Sequence, residues 1–349
     1  MNASFPVTEH MARTERHATF YLSCGAKDAP LIIFVHGWPE LSTSWRHQLP
    51  CMASLGFRAI APDMRGYGRS SLYPRHEDYA LEHIVRDMVE LLASLGAEKA
   101  VWVGHDWGSP VVWSLASHHA DRCHGVANLC VPYVPDGFGT ECILPWVDRS
   151  IYPAEQYPAG QWEYRLYYEE NFAKVRADFE ADVAATIAAL FRKGNPQGKG
   201  KPARTAETRR QGGWFAGSGR APSLPIDTDV ISEQDFRAYV AALERNGFFG
   251  PDSWYMNDRG NAEYARRGAA GHRLRMPVLF LHGEYDYTCE TVTSRLAERM
   301  RAHCDNLSEV YVESGHWMAQ EKPVAVNSAL ARWLATQLPE LWSPTMKRL

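Results

Sequence analysis

Apolar residues recur along the chain in two alternating rhythms. Residues 31–35 (Leu31, Ile32, Ile33, Phe34, Val35) form an unbroken apolar run of strand length, and 57–61, 101–103, 125–131 and 277–281 are similar β-prone runs. Such runs suit strands buried on both faces. Residues 17–23 and 308–312 give the first and last strands of the set. Between them the spacing turns helical: Leu81, Ile84, Val85, Met88, Leu92 and Leu95 share a face that stops at Gly96, and 109–116 follows the strand at 101–103. Val326, Leu330, Trp333 and Leu338 mark a closing helix. Strand and helix in alternation predict a parallel sheet covered on both sides.

That alternation breaks between 132 and 275, where only helical patterns and loops remain. Val175, Phe179, Val183, Ile187 and Phe191 fall on one helical stripe. Ser232, three before Asp235, opens a second stripe of Phe236, Val240 and Leu243 that ends at Asn246-Gly247. The stretch 194–213, rich in Gly, Pro, Lys and Arg, reads as a solvated loop. The division predicted is a core of 1–131 and 276–349 around a helical lid of 132–275.

Composition narrows the classes. With 349 residues, 45% hydrophobic and 22% charged, the chain is ordinary for a globular protein of one large α/β domain plus an insertion. A net charge of −4 gives no reason to expect nucleic acid or an anionic membrane as partner. No apolar run is long enough to span a bilayer. The first sixteen residues lack the apolar core of a signal peptide. Seven cysteines without framework spacing fit reduced thiols in the cytoplasm, and the absence of CxxC and HExxH predicts no metal; no cofactor is expected.

The chemistry concentrates at Gly104-His105-Asp106-Trp107-Gly108. A strand, a glycine-bracketed turn and a helix form the context of a nucleophile elbow, G-x-Nu-x-G. Asp106 holds the position more often filled by serine. A serine opening an alkyl electrophile would be left as an inert ether. A carboxylate forms an ester whose carbonyl stays open to water, so Asp106 suits substrates attacked at saturated carbon, such as epoxides or alkyl halides. The bland alternative is an N-cap on the next helix.

His36-Gly37-Trp38-Pro39-Glu40 ends the strand at 31–35. A turn there supplies half of an oxyanion hole, with the Trp38 and Trp107 backbone N–H groups as donors. Hydrolysis of an Asp106 ester needs a base near neutral pKa oriented by an acid. The order nucleophile, acid, histidine fits Asp106, Asp286 and His316, each after a strand, with Glu284 as the rival acid. His105 is expected to point into the core, and Asp63 and Arg65 to serve as scaffold with charges that pair locally.

These motifs, HGWPE, PDMRGYGRSS, GHDWG, the acid after HGEYD and the histidine of SGHW, resemble the soluble epoxide hydrolases of the α/β-hydrolase superfamily. The similarity runs from about residue 20 to 333. The resemblance implies a mostly parallel eight-stranded α/β-hydrolase core with a helical lid, without the phosphatase-type domain fused to some animal members. It also implies two lid tyrosines, assigned to Tyr164 in Gln161–Tyr168 and to Tyr255 in Gly250–Tyr255; Tyr167 and Tyr168 are alternatives for the first. Phenols of pKa about 10 can hydrogen-bond the alkoxide of an opening epoxide, and one can protonate it. Glu169-Glu170-Asn171 stands where relatives often have proline, which puts the local lid geometry in question.

The expected activity is conversion of an apolar small-molecule epoxide and water to a diol, with a homodimer permitted. His36, Pro39 and Trp317 are expected on the substrate pocket, and Trp146, Trp162, Trp214, Phe215, Phe248 and Phe249 suggest apolar, aryl-accepting walls. The alternative is a haloalkane dehalogenase using the same Asp106 ester, and a non-catalytic binding protein is a third class.

Overall fold

The computed structural model describes residues 5–268 and 270–342. Eight strands, β1 (Thr8–Arg13), β2 (Ala18–Cys24), β3 (Leu31–Val35), β4 (Arg58–Pro62), β5 (Ala100–His105), β6 (Cys123–Leu129), β7 (Leu274–Gly283) and β8 (Cys304–Val312), form one sheet in the order β1-β2-β4-β3-β5-β6-β7-β8. β1 and β2 run antiparallel to their neighbours, and the remaining pairs are parallel. β3 and β5 are buried at every residue, which is why they read as unbroken apolar runs.

β1 escapes the sequence pattern. It is an edge strand with five of six residues exposed, so neither face imposes apolar alternation, and its Glu9, His10 and Arg13 suit an edge. Crossovers run through α1 (Gln48–Ser54), α2 (Leu81–Ser94) and α3 (Gly108–His118), and α2 packs on α3. α2 ends at Ser94 with Leu95 as its C-cap, followed by Gly96 in the left-handed region as the stop signal requires. Asp63 caps the loop after β4 by accepting the Ser42 and Arg69 amides, whereas Arg65 does not pair locally. It reaches α2 instead, bonding both oxygens of buried Asp87.

Between β6 and β7 the described chain holds helices and loops and no strand. The sheet resumes at Leu274, two residues ahead of the boundary read at 276. The single stripe expected over 175–191 is two helices, α4 (Glu163–Glu180) and α5 (Val183–Leu190). Asp182 separates them because its side chain accepts the Ala185 amide, an N-cap bond that competes with a helix interior. The buried face continues across the break through Val175, Phe179, Val183, Ile187 and Phe191. Asn171 interrupts α4 with φ −138° and ψ 32°, so the helix is kinked at Glu169-Glu170-Asn171. α6 (Glu233–Asn246) starts with the Ser232–Asp235 capping box and ends at Gly247, φ 68°. Helix α7 (Pro323–Gln337) packs on α1 and closes the fold, burying Val326, Leu330 and Trp333. No helix among the described residues is long and apolar enough to cross a membrane.

Candidate active site

Asp106 lies between the end of β5 and the start of α3 with φ 49°. Left-handed backbone at a non-glycine residue costs on the order of 1–3 kcal/mol and lifts the side chain clear of the sheet. Its surroundings require glycine opposite. A Cβ on Gly37 would strike the Asp106 carboxylate and come within 2.6 Å of the Trp107 amide nitrogen. With glycine there, the carboxylate enters between the two loops, and Trp38 N–H donates to Asp106 Oδ1 at 2.7 Å. The Trp38 amide thus meets the carboxylate directly, and the Trp107 amide lies beside the same close approach of the Gly37 and Asp106 loops.

The loops after β7 and β8 bring the other partners. His316 Nδ1 is 2.7 Å from Asp286 Oδ2, and His316 Nε2 is 3.3 Å from Asp106 Oδ2. Asp286 Oδ1 accepts the Cys289 amide at 3.1 Å. Burial disfavours the imidazolium, but the flanking Asp286 and Asp106 carboxylates outweigh it and raise the His316 pKa well above its ordinary value. Burial alone would raise Asp286; the His316 partner reverses this and lowers it. Glu284, the rival acid, makes no bond to His316; it faces a separate pocket beside Lys199 and Lys201. Asp286 is the acid the fold brings to the histidine.

A cavity of about 360 Å³ opens over Asp106, lined by Trp38, Tyr164, Tyr255, Asp286, His316 and Trp317 among others. The Tyr164 and Tyr255 rings are 5.6 Å apart and nearly perpendicular. Among the described residues neither hydroxyl has a hydrogen-bond partner, and burial raises both phenol pKa values, so they stay protonated donors. The alternatives are occupied elsewhere. Tyr167 donates to Gly212 O at 2.7 Å, and Tyr168 reaches Asp252 at 3.3 Å while stacking on Tyr255.

Two of the expected pocket residues do not line the cavity. His36 is wholly buried, its Nε2 accepting the Met64 amide at 2.9 Å, and burial lowers its pKa; it braces the loop after β3. Pro39 is buried beside it. Trp317 does line the cavity, its indole N–H held by Leu190 O. Of the aromatic residues suggested for the walls, Trp214 and Phe215 reach the cavity; Trp146, Trp162, Phe248 and Phe249 do not. The stretch 194–213 is not simply a solvated loop, since Gly194, Gly198, Arg204 and Thr205 form part of the cavity wall.

His105 turns into the core as expected, and its partners were not foreseen. Its Nδ1 is 2.8 Å from Glu40 Oε2, and its Nε2 donates to the His316 carbonyl at 2.7 Å. Burial works against both charges, yet each offsets the loss for the other: His105 is raised to about 10 and Glu40 lowered to about 2. Glu40 also accepts the Gly37 amide. One buried ion pair thus ties the Trp38 loop, the Asp106 elbow and the His316 backbone. The signal was a lone carboxylate in the otherwise apolar, aromatic HGWPE turn. Asp252 is a second unforeseen group. Burial raises its pKa well above the carboxylate range, and its Oδ1 accepts the Trp38 indole N–H at 2.9 Å.

Two sets, His105–Cys130–His316 and Asp286–Cys289–His316, gather three potential metal-ligand atoms within 4.8 Å. Both share His316, whose ring nitrogens already face carboxylates, and burial pushes the Cys289 thiol up, which opposes the thiolate that ligation requires. The donor chemistry fits proton transfer better than a metal centre.

The family described as alpha/beta hydrolase fold matches residues 30–323. Epoxide hydrolase A of Mycobacterium tuberculosis is 34% identical over 332 residues, covering 94% of this chain and 97% of that protein. Bifunctional epoxide hydrolase 2 of Sus scrofa is 33% identical over 309 residues, 88% of this chain and 52% of that protein. The chain spans about half the length of such mammalian relatives. The crystal structure of epoxide hydrolase A from Mycobacterium thermoresistibile superposes with a TM-score of 0.78 at 30% identity, covering 95% of this chain and 99% of that one.

Proposed function

The chain belongs to the α/β-hydrolase family, among the soluble epoxide hydrolases, and from that premise we propose that it converts an apolar epoxide to a vicinal diol through an ester on Asp106. The observation that carries this reading is the pair of phenols, Tyr164 and Tyr255, that line the same cavity as Asp106 and have no hydrogen-bond partner among the described residues. An Asp106 oxygen attacks one oxirane carbon, a carbon–oxygen bond forms, and the ring C–O bond breaks toward its oxygen. Both phenols hydrogen-bond that oxygen and one gives it a proton.

Ester formation removes the Asp106 charge, one of the two anions that favour the His316 imidazolium. The imidazolium gives its proton back to the phenolate left by epoxide opening, and the neutral imidazole is then the base that takes a proton from water, with Asp286 fixing its ring. The hydroxide adds to the ester carbonyl, and the Trp38 and Trp107 amides hold the resulting oxyanion. Collapse expels the diol and returns Asp106 with one oxygen from water. Residues 132–275, which supply both tyrosines, act as the lid that excludes bulk water. A cytoplasmic setting accords with seven cysteines that are all unpaired.

A single turnover of styrene oxide in ¹⁸O-water tests the mechanism. The label is expected in the Asp106 side chain, with unlabelled oxygen in the first diol; label entering that diol directly defeats the ester route. The dehalogenase reading finds less support, because the Trp38 indole N–H that could hold a halide is engaged by Asp252. Bromide release from a haloalkane, without diol from styrene oxide, would reverse the order.

A further inference from the structure

His316 sits between two residues that both grip the insertion. On one side, Gly315 N–H donates to Glu321 Oε2 at 2.8 Å, and the same oxygen accepts the Gly194 amide at 3.1 Å. The two glycine backbones lie so close that a Cβ on Gly315 would be 2.6 Å from Gly194 N and 2.7 Å from its Cα. On the other side, the Trp317 indole donates to Leu190 O at 2.9 Å and stacks on Phe191 with centroids 4.3 Å apart. Residues 190–194 are thus docked on the histidine loop from both flanks. Leu190, Arg192, Lys193 and Gly194 also line the cavity, so this seam is part of its wall.

We infer that Glu321 is a positioning residue for His316: its carboxylate clamps the insertion segment 190–194 to the histidine loop, so that docking of the insertion sets the base for ester hydrolysis. The inference rests on the ester mechanism proposed above. A single carboxylate oxygen shared by two amides forms charge-assisted bonds, stronger than neutral ones. His316 must meet both Asp286 and the water aimed at the Asp106 ester, and a displacement of about 1 Å in such a group is costly in rate. Opening of an ester-forming epoxide, in contrast, uses Asp106, Tyr164 and Tyr255 and makes no demand on the His316 ring. Loss of the clamp is therefore specific to the second step.

The test follows both steps with styrene oxide by rapid quench, measuring the mass of the peptide that holds Asp106. Glu321→Ala is expected to slow ester hydrolysis about tenfold while alkylation stays within about twofold, so that ester accumulates. Glu321→Gln, whose amide oxygen can still accept both N–H groups, restores most of the hydrolysis rate. Gly194→Ala separates the two backbones from the insertion side and slows ester hydrolysis as Glu321→Ala does. Ester hydrolysis at the wild-type rate in Glu321→Ala and Gly194→Ala overturns the inference. So does an equal fall in both steps accompanied by a lower Tm, the mark of a purely structural role. A wild-type enzyme that makes diol with no Asp106 ester removes the mechanism itself, and the inference with it.

Discussion

The Nε2 atom of His316 lies 3.3 Å from Asp106 Oδ2, on the opposite side of the imidazole from Asp286. The ring therefore titrates between two anions, and only one of them persists once Asp106 carries an ester. Asp106→Asn imitates that loss of charge. It is expected to lower the His316 pKa, because an opposite charge within contact distance has been removed. Nitrogen-15 NMR titration of the histidine rings measures it directly. An unchanged His316 titration would mean that the Asp106 charge does not govern the base. Turnover is also lost in this variant, provided deamidation back to aspartate is prevented.

The two phenols are expected to serve the first step alone. Tyr164→Phe or Tyr255→Phe each removes one donor to the developing alkoxide, a loss of about 10²-fold in alkylation by analogy with an oxyanion-hole donor. The double variant loses epoxide opening almost entirely. Burst kinetics separate the steps, and hydrolysis of any ester that does form continues at its normal rate. A defect confined to hydrolysis would remove the phenols from the assigned role.

Asp286 and Glu284 are two residues apart in sequence, but only Asp286 bonds His316. Asp286→Asn leaves the ring in place and takes away the charge that stabilises the imidazolium. Ester hydrolysis is expected to fall on the order of 10²-fold or more, with ester accumulating on Asp106. Glu284→Gln should stay near the wild-type rate. Equal losses in the two variants, measured by single-turnover hydrolysis, would unseat Asp286 as the orienting acid.

Legibility followed burial. β3 and β5 are hidden on both faces and read as unbroken apolar runs, whereas β1, exposed along its length, left no periodic signal. Asp106, His316 and the Trp38 turn were legible because glycines and loop position bracket them after strands. The break at Asp182 was not, since the apolar spacing carries across two helices that share a buried face. Distant contacts were hidden altogether. Nothing in the sequence says that Glu40 meets His105 across 65 positions, or that residues 190–194 close on the His316 loop. Segment 194–213 looked solvated because its lysines and arginines are hydrophilic, yet its glycines admit close backbone approach to the cavity wall.

The buried Glu40–His105 pair gives a pH-dependent stability whose sign follows from each partner. His105 is raised in the fold from an ordinary 6.5 to about 10, despite burial, because Glu40 favours its cation. Its contribution is fully present below pH 6.5 and disappears as pH climbs through about 10. Glu40 is lowered from 4.5 to about 2, so its contribution is present above pH 4.5 and is lost as pH falls through about 2. The pair thus stabilises most between pH 4.5 and 6.5. Removing one member leaves a buried polar or charged group uncompensated, so Glu40→Ala is expected to cost about 3–5 kcal/mol in that window. The cost should shrink toward pH 10, where the wild-type pair is itself losing its proton. Chemical denaturation of wild type and variant from pH 5 to 10 measures the difference. Because Glu40 also accepts the Gly37 amide and His105 holds the His316 carbonyl, ester hydrolysis should fall in the same variant. A stability difference flat across the whole pH range would show that the two side chains are paired as neutral groups, and the buried charges would have to be abandoned.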